Sequence, residues 1–122
     1  MINICPIGRN CSLTERKQFA EIDRVHGIRE KFVSVLKQKF GVDCLKFSIG
    51  GQISIDIFPI GWDKSYCLNH LNLNDFQEIH FFGDRTLEGE NDYELYIHSS
   101  VIPHSVIGPE DTINKISDLF KS

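Results

Sequence analysis

On either side of Gly50-Gly51 the chain alternates apolar and polar residues with period two: Leu45, Phe47 and Ile49 before the glycines, Ile53, Ile55 and Ile57 after them. Strict alternation marks a strand with one buried face, and a glycine pair between two such runs supplies the backbone freedom of a tight hairpin turn. The segment predicts an antiparallel hairpin with a two-glycine connection. Its second strand, Gln52 to Phe58, turns Gln52, Ser54 and Asp56 away from the three isoleucines. Period two sets Ser54 and Asp56 about 7 Å apart on that face, exposed to solvent.

Two helices are expected before the hairpin. Ser12-Leu13-Thr14-Glu15 fits a capping box, which predicts a helix over residues 13–24, broken by Gly27. Ile28, Phe32, Leu36 and Phe40 recur every fourth residue, an apolar stripe on a second helix that Gly41 closes.

Pro59-Ile60-Gly61 interrupts the pattern and divides the chain into two parts, residues 1–61 and 62–122. The second part reads as helix (64–71), short buried strand (78–82), short helix or loop (92–97), strand (101–106) and a closing helix (109–120). Pro109 sits at its early position, with Glu110 and Asp111 in the first turn. That order implies parallel strands joined by crossovers. Two parallel strands do not make a doubly wound sheet, so this part reads as half a domain. Its apolar edge, Ile79 to Phe82, is expected to promote swapping, dimerisation or aggregation.

Composition narrows the function. The 122 residues carry 13 Lys+Arg against 17 Asp+Glu, a formal net charge of −4, with no basic cluster to attract nucleic acid. No apolar run approaches the roughly 20 residues that span a bilayer, and the N-terminus lacks a long apolar stretch, so a cytoplasmic location is expected. The four cysteines form no C-x-x-C pair and are expected as buried free thiols. The five histidines show no metal-ligand spacing, and Trp62, the sole tryptophan, is expected to anchor packing at the junction.

Three constellations could carry chemistry. Phe81-Phe82-Gly83-Asp84, followed by Gly89-Glu90-Asn91-Asp92, delivers an acid at a strand's C-terminal end and a second acid after a glycine loop. Open α/β sheets place ligands and Mg²⁺ there, although an ordinary strand-to-loop turn has the same look. Lys64, after Gly61-Trp62-Asp63, stands at a helix start where a cation gains nothing from the dipole; this suggests an anionic partner, against the alternative of a solvated lysine. Arg9 and Arg16 flank the first helix start, beside the face that carries Ser54 and Asp56. Two guanidinium forks and helix-terminal amides suit a phosphate, and Ser with Asp suits sugar hydroxyls, although each arginine alone could be a surface ion pair with Glu15 or Asp23.

Taken in order, Pro6-Ile7-Gly8-Arg9, Cys11-Ser12, Glu15-Arg16, Phe47-Ser48-Ile49-Gly50-Gly51-Gln52-Ile53-Ser54, Asp56, Phe58-Pro59, Gly61-Trp62-Asp63-Lys64, Tyr66-Cys67-Leu68, Phe81-Phe82-Gly83-Asp84, Gly89, Asn91-Asp92 and Pro109-Glu110-Asp111-Thr112 resemble the eukaryotic phosphomannomutases of the haloacid-dehalogenase superfamily. The resemblance covers nearly the whole chain. It implies a haloacid-dehalogenase-like α/β fold: part of an α+β cap with an antiparallel sheet (1–61), then the C-terminal half of a Rossmann-like parallel-sheet core (62–122). It implies interconversion of mannose 6-phosphate and mannose 1-phosphate through a hexose bisphosphate and an aspartyl-phosphate, for GDP-mannose synthesis and glycosylation, by a homodimer joined through its caps.

On that resemblance Arg9, Arg16, Ser54 and Asp56 hold the distal phosphate and the sugar hydroxyls, and Lys64 steadies the phosphoryl group and the nucleophile. Asp84 is the Mg²⁺ carboxylate, with Asn91 and Asp92 in support. A second cation falls on the Tyr96 to Val101 loop, where His98 replaces the family's usual acid and Val101 its threonine. The family's D-x-D-G-T segment, with the nucleophile and its acid/base partner, does not occur in this sequence. The expectation is therefore a C-terminal portion of the enzyme, inactive by itself. The rival expectations are a sugar-phosphate phosphatase of the same superfamily, which needs no second phosphate clamp, and a non-catalytic phosphosugar-binding or dimerisation module.

Overall fold

A computed structural model describes residues 1–121. The elements run β1 (Ile2–Ile4), α1 (Leu13–His26), α2 (Ile28–Phe40), β2 (Leu45–Gly50), β3 (Ser54–Pro59), a 3₁₀ segment (Lys64–His70), a shorter one (Leu73–Asp75), β4 (His80–Gly83), α3 (Tyr93–Tyr96), β5 (Ile102–Ser105) and α4 (Pro109–Leu119). β1, β3 and β2 form an antiparallel sheet in that order, whereas β4 and β5 pair in parallel. The result is the mixed architecture expected of a haloacid-dehalogenase-like cap and core.

The hairpin forms, with one correction. Gly50 pairs with Ser54, so three residues, Gly51-Gln52-Ile53, make the connection, and the second strand starts two residues later than the alternation suggests. Gly51 takes φ 52°, the left-handed region that favours glycine. β1 was not anticipated, being three residues long with its partner more than 50 positions away: Ile2, Asn3 and Ile4 lie opposite Ile57, Asp56 and Ile55.

Register sorts the sheet into two faces. Ile4, Ile55, Ile57, Phe47 and Ile49 point to one side, where Val33 of α2, with Phe32 and Leu36, completes a core around the fully buried Ile55. Asn3, Asp56 and Ser48 form a row across the other side. Ser48 is buried and Asp56 half-buried, which corrects the expectation of a solvated face.

Arg29 ties the helices to the turn. Almost fully buried, it donates from Nε to Asp23 (2.6 Å) and from one terminal nitrogen to the carbonyls of Gly50 (2.9 Å), Ser54 (3.0 Å) and Gly51 (3.3 Å). The capping box is complete, since the Ser12 hydroxyl accepts from Glu15 N and the Glu15 carboxylate from Ser12 N.

A second core gathers Leu68, Leu95 and Val101, with Leu73, Ile79 and Phe81 against it. Here the expected 64–71 helix is 3₁₀, started by Asp63, whose carboxylate accepts from Ser65 N. Trp62 does not anchor packing: it is 63% exposed and stacks on Tyr66, centroids 5.2 Å apart. Cys5, Cys11, Cys44 and Cys67 are free thiols, but none is buried as expected: Cys5 and Cys11 are half-buried, and Cys44 and Cys67 are exposed. α4 buries no residue among those described, and Ile113, Ile116 and Leu119 leave its apolar stripe open. No helix among the described residues is long and apolar enough to cross a membrane.

Candidate functional site

Two polar corners emerge, one on each sheet. The first grows from the row Asn3, Asp56, Ser48. Asn3 Nδ2 donates to Asp56 Oδ1 (2.6 Å), and Arg9 donates from its guanidinium to the Asn3 oxygen. Arg9, Arg16 and Ser54 line one pocket of about 190 Å³, together with Asn3, Cys5 and the turn residues 51–53. α1 places Arg16 one turn inside its start, and the loop after β1 places Arg9. Neither arginine makes an ion pair among the described residues, because Glu15 closes the capping box and Asp23 holds Arg29. The expected competitors for these guanidinium groups are therefore engaged elsewhere.

Two guanidinium groups that make no ion pair among the described residues, one hydroxyl and a carboxylate anchored by an amide form a concave surface that can bind an anion at one end and hydroxyl groups at the other. Asn3 was missed in the sequence, since its function depends on a strand pairing that no local signal announces. Gln52, expected as a strand residue, belongs to the turn and also lines the pocket.

The second corner is organised by Asp92, only 3% exposed. Its Oδ2 accepts from the backbone amides of Asp84 and Arg85, both at 3.1 Å, and its Oδ1 pairs with the Lys64 ammonium. β4 thus ends in a loop whose first two amides are fixed by a carboxylate eight residues later, and the lysine neutralises that carboxylate. The sequence placed Asp92 in a supporting position; the structure makes it the hub. Asp84 itself points its side chain to solvent at the strand end. The approach is close: a Cβ at Gly83 would lie 2.8 Å from Asp92 Oδ2 and 2.9 Å from the Phe81 ring.

Asn91 joins the two corners. Its amide donates to Ile49 O (3.2 Å), while Ile49 N donates to Gly89 O (3.1 Å), so the 89–91 loop runs along the β2 edge. A Cβ at Gly50 would lie 3.0 Å from both Asn91 Nδ2 and Asp56 Oδ2, which places the side chains of Asn91 and Asp56 over the same spot of the polar face. Asn91 Oδ1 and Ser48 Oγ are buried without a hydrogen-bond partner.

The donors suit a hard cation in kind. Asp84 offers a free carboxylate and Asn91 an unpartnered oxygen, whereas both oxygens of Asp92 are taken. Mg²⁺ is commonly held by one or two carboxylates completed by phosphate and water. Among the described residues no group of three His, Cys, Asp or Glu converges. In the Tyr96 to Val101 loop, His98 Nδ1 accepts from Ser100 N (3.1 Å), so that ring nitrogen is occupied by the backbone.

Comparison with known proteins covers the whole chain. The family model described as eukaryotic phosphomannomutase matches residues 1–122. A phosphomannomutase of Saccharomyces cerevisiae is 54% identical over 98% of this chain and 47% of its own length. Those of Oryza sativa subsp. indica and Arabidopsis thaliana are each 56% identical over 100% of this chain, and over 48% and 49% of theirs. The chain spans about half the length of the curated relatives it matches.

Proposed function

The chain belongs to the eukaryotic phosphomannomutase family, and from that premise we propose that it is the sugar-binding cap portion and C-terminal half-core of a phosphomannomutase, which interconverts mannose 6-phosphate and mannose 1-phosphate. The observation that carries the reading is the pocket in which Arg9, Arg16 and Ser54 converge, with Asp56 tied to Arg9 through Asn3.

Arg9 and Arg16 grip the phosphate that is not being transferred. Each is a planar fork matched to phosphate oxygens, and a dianion there stabilises both charges without an ion pair having to be broken first. Ser54 and Asp56 bind sugar hydroxyls, Asp56 as an acceptor oriented by Asn3. Such a distal clamp distinguishes a mutase from a phosphatase: a hexose bisphosphate must be held by either end in turn, so the remote phosphate needs its own site.

Lys64 and the 84–92 loop serve the phosphate in transit. Charge spreads over the transferred phosphoryl oxygens, and a preorganised ammonium stabilises it without reorganising at the moment of reaction. Asp92 holds Lys64 in place and fixes the backbone from which Asp84 projects. Asp84, with Asn91 in support, would hold Mg²⁺, which when bound neutralises phosphoryl charge. The nucleophilic aspartate and its acid/base partner belong to a D-x-D-G-T segment outside these residues. On the same reading the working enzyme is a cytoplasmic homodimer joined through its caps, and its product feeds GDP-mannose synthesis.

A coupled mannose 1-phosphate isomerisation assay tests this, with Mg²⁺ and a catalytic amount of hexose bisphosphate, on this chain and on one extended upstream through D-x-D-G-T. The expected result is turnover only by the extended chain, abolished by Asp84→Asn and weakened mainly in KM by Arg9→Ala. Turnover by the 122 residues alone would place the nucleophile within this sequence and defeat the mechanism. Hydrolysis of mannose 1-phosphate without isomerisation would favour a phosphatase.

A further inference from the structure

Outside both polar corners, the parallel strand pair carries a chain of three titratable groups that the proposed reaction does not use. His80 of β4 and His104 of β5 approach through ring nitrogens, Nδ1 to Nε2, at 2.9 Å, with centroids 5.2 Å apart. The other nitrogen of His80 lies 3.1 Å from a Glu78 carboxylate oxygen. The outer face of His104 is covered by Phe82, stacked at 4.4 Å between centroids. From α4, Lys115 reaches the carbonyl of Ser105, next to His104, and lies 3.5 Å from Asp111.

A nitrogen-to-nitrogen contact of this length accommodates one proton. If one ring donates, the other must accept, so one of the two imidazoles stays neutral in this geometry. A second proton would set two N–H groups head to head. Three influences oppose that charge on His104: burial, the neighbouring His80 and the Lys115 ammonium each lower its pKa from the ordinary imidazole value. Asp111 is engaged with Lys115 and offers His104 no compensating anion. Glu78 faces His80 alone.

The location gives the pair a consequence. β5 meets β4 along four residues, closed at one end by Ile102 N on Ile79 O (2.7 Å) and at the other by Val106 N on Gly83 O (2.9 Å). Gly83 is followed by Asp84. We propose that Glu78, His80 and His104 form a proton-operated latch on this strand pair, closed while the two rings share one proton and loosened when acidification adds a second, so that the strand carrying Asp84 is held less firmly below neutral pH.

The sign follows from linkage. A histidine whose folded pKa lies below its open-state value binds fewer protons when folded, so stability is intact at neutral pH and falls as pH drops below about 6.5. With an ordinary pKa in the open form, moving from pH 7.5 to 5.5 shifts the opening equilibrium by at most about tenfold. Hydrogen exchange at the Ile102 and Val106 amides, corrected for intrinsic rate, reads it directly. Protection should fall by several-fold up to tenfold over that interval in the native chain, and by less than twofold in His104→Gln. Equal losses in both proteins, or none in the native chain, would overturn the latch. Should His104→Gln fail to fold, imidazole ¹⁵N titration of the native chain decides instead: one ring remaining neutral below pH 5.5 supports the latch, and two independent titrations near 6.5 refute it.

Discussion

Replacing Arg29 with methionine keeps the apolar stem of the side chain and removes its charge and four hydrogen bonds. The side chain is 4% exposed and its partner Asp23 11%, so the change strands a carboxylate with little access to water. Removing one partner of a buried ion pair costs about 3–5 kcal/mol. A second route gives a similar figure: Gly50 O keeps the Ser54 hydroxyl, but Gly51 O and Ser54 O lose their side-chain donor, at about 1–3 kcal/mol each where water cannot replace it. About 4 kcal/mol is a large share of the roughly 5–15 kcal/mol that holds a domain together, and near this chain length it lowers Tm by about 15 °C.

The assay is urea unfolding followed by circular dichroism on Arg29→Met, Asp23→Asn and the double variant. The double variant should lose clearly less than the sum of the singles, because the second substitution removes the charge that the first left unpaired. A loss under about 1 kcal/mol in Arg29→Met, or strictly additive losses, would refute the view that this guanidinium locks the 51–53 turn to the helices. Because that turn lines the arginine pocket, mannose 1-phosphate should also bind the remaining folded fraction of Arg29→Met more weakly.

Other substitutions examine the remaining joints. Gly83→Ala should displace Asp92 and reduce the protection of the Asp84 and Arg85 amides in hydrogen exchange; unchanged protection would mean that the close approach is slack. Asp92→Asn keeps the shape but leaves Lys64 without its anion, and should cost about 2–4 kcal/mol in urea unfolding, since a buried charged hydrogen-bond hub is lost; a cost near zero would remove Asp92 from the centre of that corner. Ser12→Ala should cost about 1 kcal/mol through the capping box, with no effect on phosphosugar binding. Arg16→Ala should weaken mannose 1-phosphate binding by calorimetry with Tm nearly unchanged, and equal affinity would take Arg16 out of the clamp.

Local patterns were legible. The alternation around Gly50-Gly51 announced the hairpin and its buried isoleucines, Ser12 with Glu15 announced the start of α1, and the acid after Phe81-Phe82-Gly83 announced a loop of interest. Each signal spans a few residues and acts through backbone geometry alone. What escaped depends on partners far apart in sequence. Arg29 reads as one more solvated residue in Ile28-Arg29-Glu30-Lys31 until the turn folds over it. β1 has too few residues to show a period, and its Asn3 acquires a role only by lying opposite Asp56. His80 and His104 become neighbours only because β4 and β5 pair in parallel. The size of Trp62 suggests burial, whereas a flat partner, Tyr66, satisfies one of its faces and leaves the indole 63% exposed.

That exposed indole gives the chain a built-in optical reporter. It is the sole tryptophan, it stands two residues before Lys64, and it rests on Tyr66 of the same 3₁₀ segment. Its emission should be that of a water-facing indole in the free chain, shift to shorter wavelength when anything covers the Lys64 corner, and resist added iodide to the same degree. The corner can therefore be followed in real time without a label.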